Sequence, residues 1–411
     1  MEWTQPWFVI AVCGVIGVYL VELIATVLDL RQFAKGIPEA LKDRLDQPTF
    51  ERTRAYAAAS AQQGVVSSTF SLIVLLSFWW GGGFGWLDSL SEEWFDSELL
   101  QGVAAIAAVL AAQSILGLPF DIWHTFGVEA RFGFNRTTWK TFLSDRIKGA
   151  LLGAALGLPL LALILCFFMN FELAALWSWL ALAAFSITMT WLSPRLIMPL
   201  FLKFEPMDDG DLKTAILDLA RKLNFPVGDV SIVDGSRRST KANAFFAGFG
   251  ATRRIALFDT LIEEHDQPGI LGILAHEIGH GKKRHVPMHL VLSLIESGLM
   301  LSALAWVLKS PAILAAFGLD QPSAGLGLIV FSILYKPLST LLGVLSLAVS
   351  RKHEFEADAF AAEATGDAGA LRNALGKLST GHLSHPRPHP LGVWLHHSHP
   401  PLVERLEALA N

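Results

Sequence analysis

Seven stretches of this chain are long and apolar enough to cross a lipid bilayer, and no other feature limits its folding so tightly. They cover roughly residues 7–29, 64–87, 99–118, 149–169, 172–194, 287–308 and 325–349. Hydrocarbon offers no partner for a backbone amide, so each stretch must satisfy its own hydrogen bonds as a helix. A content of 52% hydrophobic and 17% charged residues fits a polytopic membrane protein rather than a soluble one. The first stretch has no basic leader and no clean small-residue cleavage site, so it reads as a retained span rather than a signal peptide.

The loops set an orientation. Spans one and two are joined by a segment holding Arg31, Lys35, Lys42, Arg44, Arg52 and Arg54. Spans three and four are joined by one holding Arg131, Arg136, Lys140, Arg146 and Lys148. The alternate loops are nearly bare of cations: 88–98 has none and 309–324 only Lys309. By the positive-inside rule the amino terminus lies outside the cytosol, and segments 195–286 and 350–411 face it. Cys13 and Cys166 both fall within spans, which excludes a disulfide framework and a thiolate metal site. A net charge of −5 carries no nucleic-acid signal, so the bilayer and a peptide are the expected partners. Glu22, Asp29, Glu296 and Lys336 lie in or at the ends of spans, where charge against lipid is costly. They are expected to face the protein interior or a water-filled space.

The chemistry concentrates after span five. Residues 269–280 read as an apolar helix carrying His276, Glu277 and His280. Side chains four apart share a helix face, so the two imidazoles can grip one metal ion. Glu277 stands beside the first of them, placed to take a proton from water activated there. Upstream, 207–224 reads as an amphipathic helix and Val230–Asp234 as a short β-branched strand. Segments 243–249 and 254–259 read as two more strands, joined by a Gly-rich hairpin from Gly248 to Ala251. A small sheet beside a metal helix is where a peptidase aligns an extended substrate as an added strand. Asn243, at a strand start, is a candidate to hold a substrate backbone or an oxyanion.

A catalytic zinc needs three protein ligands and an open position. The third is sought in Ser350-Arg-Lys-His-Glu-Phe-Glu-Ala-Asp358, directly after span seven, which offers His353, Glu354, Glu356 and Asp358. Glu354 and Asp358 are four apart on one face, so one can bind the ion while the other orients a ligand imidazole. Glu354 is taken as the ligand and Asp358 as the orienting group. The tail holds six histidines among prolines, mostly expected to face solvent or cap turns. In His399-Pro-Pro-Leu-Val-Glu-Arg405 a prolyl turn launches a helix, making His399 and Arg405 candidate electrophiles for an oxyanion.

Taken together, these motifs resemble the type I CAAX prenyl endopeptidases, the integral-membrane gluzincins also called CAAX prenyl protease 1. The resemblance rests on Ala275–His280, Ser350–Ala361 and His397–Arg405, supported by Glu129–Asn135, Asp234–Thr240, Asn243–Phe249 and Arg254–Leu261. It covers about residues 119–410 and is weakest over the first hundred. The resemblance implies Glu354 in the third-ligand position and Asn243, His399 and Arg405 in contact with substrate or oxyanion. It also implies seven helices around a water-filled chamber that would hold Glu22, Glu296 and Lys336. The implied reaction removes the last three residues of a prenylated CAAX terminus. Lys241 departs from the family, which often has His there. So does the short stretch 263–268, where eukaryotic relatives often carry an insertion; its shortness suggests a bacterial member.

The expected fold is therefore mainly α: a polytopic membrane protein of about seven helices enclosing a chamber, with a small α+β zinc-peptidase region on the cytosolic side. Its parts are 1–194 (membrane helices one to five), 195–286 (peptidase region), 287–349 (helices six and seven) and 350–411 (the segment completing the site). The expected activity is a zinc metalloendopeptidase with one Zn2+ on His276, His280 and Glu354, in a bacterial inner membrane or else the endoplasmic reticulum. The close rival is a quality-control protease for misfolded membrane proteins. A transporter is the distant one, since it has no need of Glu277 beside a metal pair.

Overall fold

The computed structural model describes residues 5–247, 253–319 and 324–410. Among these, seven helices are long and apolar enough to cross a membrane. Helix α1 (Pro6–Gln32) has proline in its first turn, where a missing amide is harmless. Helix α2 (Gln47–Trp80) is capped by Asp46, whose carboxylate accepts from the Thr49 amide. It is a single helix of 34 residues that begins well before the expected start of span two at 64. Gly82, at φ 77°, stops it seven residues earlier than expected and lets the chain turn into the short α3 (Gly83–Trp94).

Helix α4 (Glu98–Ile122) runs through Pro119 instead of ending there and widens into a π-helical turn, Trp123–Glu129. Helix α5 (Trp139–Asn170) and helix α6 (Ala174–Leu192) follow. A second π turn over Ser193–Ile197 and the short α7 (Met198–Phe201) then bring in Pro194 and Pro199 where the chain leaves the membrane.

The water-exposed part comprises β1 (Phe204–Pro206), α8 (Asp211–Lys222), β2 (Asp229–Val233), β3 (Ala244–Ala247), β4 (Arg254–Phe258), α9 (Asp259–Glu264) and α10 (Gln267–Lys282). The strands form one sheet in the order β1-β2-β4-β3. β2 and β4 are parallel, with Ile232 opposite Leu257, and β3 is antiparallel to β4, with Ala244 opposite Leu257. β1, with only three residues and a proline, carries no alternation to read. The expected hairpin from Gly248 to Ala251 lies outside the described residues. The chain then re-enters the apolar layer through α11 (His285–Leu308), α12 (Pro311–Ala315) and α13 (Ala324–Thr365). It closes with α14 (Ala368–Gly381), α15 (Pro390–His396) and α16 (Leu402–Ala408). The boundary expected at 349 falls inside α13, which continues unbroken for 42 residues.

Two cores hold these parts. One lies beneath α10, where Ile270, Leu274 and Ala275 pack with Val230, Ile255 and Leu257 of the sheet and Leu371 of α14. The other gathers Trp79, Phe84, Phe317, Leu326 and Val330 at the opposite end of the spans. There Trp79 and Phe317 stack at 4.2 Å and 2°, and the Trp79 indole N–H donates to the Ala316 carbonyl. Between the two, at most 17% of the most apolar window of any span is buried.

Candidate metal centre

Helix α10 is launched by Asp266, whose side chain accepts from the Gly269 amide, and by Pro268 in its first turn. One of its turns presents His276 and His280. Gly279, between them, is where α13 comes closest. A Cβ there would meet Ala357 Cα at 3.2 Å and Phe360 at 3.1 Å. That close approach brings Glu354 of α13 onto the imidazole pair.

The three converge. The Nε2 atoms of His276 and His280 are 3.1 Å apart. Glu354 Oε2 is 3.4 Å from His276 Nε2, and Oε1 is 3.3 Å from His280 Nε2. His276 turns its other nitrogen, Nδ1, to Asp358 Oδ1 at 2.8 Å. That contact fixes the ring proton on Nδ1 and leaves a lone pair on Nε2. Two ring nitrogens this close beside a carboxylate call for a shared cation among them, a proton or a metal ion. Glu354 Oε2 is moreover buried with no hydrogen-bond partner. Two imidazole nitrogens and one carboxylate oxygen within 4.8 Å of one another are the donor set a catalytic zinc takes.

The electrostatics agree. Burial disfavours a charge on His276, but its hydrogen bonds to Asp358 and Glu354 outweigh that and raise it to about 9. The pocket is built for positive charge. Glu277 differs: burial pushes its carboxyl up, against the pull of His276 and His280. A carboxylate with raised affinity for a proton suits a general base.

Asp358 is in turn gripped by Arg405 of α16, through Nε at 2.7 Å and Nη2 at 2.6 Å, and Arg405 Nη1 lies 3.4 Å from Glu354 Oε2. His399 Nε2 is 3.4 Å from Glu354 Oε1. A cavity of about 440 Å³ is lined by Asn243, Ala244, Glu277, Glu354, His399 and Arg405, among others. All eight candidate residues thus gather within one neighbourhood: Asp358 supports the cluster from behind, and the other seven line the cavity or, as His280 does, complete the metal set. Asn243 accepts the Ala244 amide on its own Oδ1 and stands at the start of β3. Among the described residues β3 pairs with β4 alone, so it is a sheet edge beside the cavity.

Several partners escape a reading of the sequence. His280 turns Nδ1 toward His285 Nδ1 at 3.0 Å, and His285 Nε2 reaches Glu356 Oε2 at 3.1 Å. The single available signal is that His285 follows the metal motif by five residues. Lys241 pairs with Glu129 at 3.1 Å and with the Tyr56 hydroxyl at 3.1 Å. Two tail histidines cap turns as expected, His385 Nδ1 accepting from the Arg387 amide and His389 Nδ1 from the Leu391 amide, and several also make distant contacts. His396 pairs with Glu22 at 2.7 Å, the His389 amide donates to Asp29, and His385 Nε2 meets the Asp29 carbonyl. His382 Nε2 accepts from the Ala242 amide, and its burial, helped by Lys241, lowers it to about 4.

With this geometry in hand, known proteins offer a comparison. A family described as CAAX prenyl protease N-terminal, five membrane helices, matches residues 26–203, and Peptidase family M48 matches residues 206–411. A CAAX prenyl protease 1 homolog of Arabidopsis thaliana is 35% identical over 417 residues, covering 98% of this chain and 97% of its own. CAAX prenyl protease 1 of Saccharomyces cerevisiae is 31% identical, covering 93% and 91%. The crystal structure of S. mikatae Ste24p superposes with a TM-score of 0.93 at 30% identity, covering 99% of this chain and 100% of that one.

Proposed function

The chain belongs to peptidase family M48, among the CAAX prenyl protease 1 proteins, and on that premise we propose that it cleaves near the carboxyl terminus of prenylated CAAX-type peptides. It is a multi-pass membrane metalloendopeptidase. The observation that carries the reading is the meeting of His276, His280 and Glu354, with a buried carboxylate oxygen that no hydrogen bond satisfies.

We assign the metal as one Zn2+ held by these three side chains, supplying a Lewis acid that lowers the pKa of water and polarises the scissile carbonyl. The substrate backbone lies along the free edge of β3, held in register by the Asn243 amide. Glu277 takes a proton from the attacking water and delivers it to the leaving amine nitrogen. His399, through Nε2, donates to the oxygen that becomes negative. Asp358 keeps the His276 proton on Nδ1, and Arg405 keeps Asp358 in place while facing the same cavity. The loosely buried spans are read as walls of a chamber that admits the lipid tail. Regions 1–194 and 287–349 make the membrane part, and 195–286 with 350–411 the peptidase part. The basic loops support a cytosolic side for that part.

A cleavage assay with pure protein tests this. A farnesylated peptide should lose its last three residues faster than its unmodified twin, a chelator should stop both reactions, and zinc should restore them. Equal rates on the two peptides would remove the prenyl reading, and rates indifferent to chelator the metal one.

A further inference from the structure

Two of the residues weighed for the third-ligand position, His353 and Glu356, are left unused by the metal centre above. They are not idle. On α13 they lie three apart, and α11 presents His285 and His289 four apart across from them. His285 Nε2 is 3.1 Å from Glu356 Oε2. The His285 and His353 rings stack face to face at 3.9 Å and 4°, and His353 Nδ1 is 3.1 Å from His289 Nε2. Both stacked rings are buried, at 2% and 4% exposure. One donor atom from each of His285, His353 and Glu356 falls within 4.8 Å of the others. The nearest cation on Glu356 besides His285 is the exposed Lys352, 3.7 Å away on the other carboxylate oxygen.

We propose that His285, His353 and Glu356, with His289 at the rim, form a second divalent-metal site. Two imidazoles and a carboxylate select a borderline cation such as Zn2+ or Co2+ over Mg2+ or Ca2+, which prefer all-oxygen sets. The site adjoins the first through the His280–His285 contact, and its effect on the first rests on His280 being a ligand there. With His280 engaged through Nε2, its proton is on Nδ1, and His285 Nδ1 must accept it. The single proton of His285 is then on Nε2, donated to Glu356. A second metal takes the Nε2 lone pair, so that proton passes through solvent to Nδ1 and the ring stays neutral. Two N–H groups then oppose each other where a hydrogen bond had been. His280 loses its support, and loading the second site restrains the peptidase.

The test uses full-length protein stripped with chelator and titrated with Co2+ or Zn2+ alone. Bound metal is measured by equilibrium dialysis with elemental analysis and by the Co2+ visible spectrum, with peptidase activity followed in parallel. Wild type should take two equivalents, and activity should fall about fivefold or more as the second binds. His353→Phe keeps the ring stack and removes both nitrogens, so it should take one equivalent and escape the inhibition. His353→Asn serves the same purpose if the aromatic variant does not accumulate. Glu354→Gln should lose the first equivalent and keep the second. One equivalent in wild type and none in Glu354→Gln overturns the second site and leaves the first standing. A second equivalent retained in His353→Phe also overturns it, and two equivalents in Glu354→Gln overturn the first site instead.

Discussion

Two histidine–carboxylate clusters stand side by side along α13, one completed by α10 and the other by α11, and they differ chiefly in what lies behind them. In the first, His276 is backed by Asp358, and Asp358 by Arg405, all three buried. In the second, Glu356 is met by an exposed lysine and the imidazoles lean on one another. The first also opens on the cavity that Glu277 lines. Ligand type and spacing are therefore enough to gather a cation, while chemistry requires a rigid support and a proton acceptor at the open side.

The sharpest way to break the contrast is Glu277→Gln. It should lower turnover by about 10²- to 10⁴-fold while bound metal, by elemental analysis, stays at the wild-type level. Loss of metal along with activity would make Glu277 part of the support instead. Asp358→Asn should come next: the first site should bind zinc about 10- to 100-fold more weakly, measured by competition with a chelator of known affinity. The equivalent change behind the second cluster, Lys352→Ala, should alter neither metal affinity nor activity by more than about fivefold, because an exposed pair contributes at most about 1 kcal/mol.

A smaller effect concerns protons rather than metal. His382 is held neutral by its burial and by the nearby Lys241, with its pKa lowered to about 4. The unfolded chain binds that proton near pH 6.5, so stability from neutral His382 is full above that pH and is lost as pH falls toward 4. His382→Gln keeps an acceptor for the Ala242 amide without the titration. Its melting temperature should fall less than that of wild type between pH 7 and pH 5. An identical fall would place the acid sensitivity elsewhere.

The sequence shows the spans, the metal helix and β2 because each announces itself through a local pattern: a run of apolar residues, a spacing of four, or alternation. Glu354 was legible for the same reason, as part of a pair on one helix face. What lay hidden is contact between distant positions. Nothing near His396 names Glu22, some 370 residues away, and nothing near Glu356 names His285. Gly279 looks like an ordinary weak point in a helix until α13 is laid across it. The length of α2 was misjudged because its first half is charged, and a change in surrounding solvent reads like a break in structure.

Helix α13 carries Pro337, which packs against Gly14 of α1, and Glu354 at the metal centre without interruption. At 1.5 Å per residue it is a strut about 60 Å long. A tilt imposed by bilayer thickness at one end is thus delivered as a displacement of the carboxylate at the other. Detergent micelles of different acyl length should for that reason yield enzyme of different vigour, with the lipid acting as a mechanical setting.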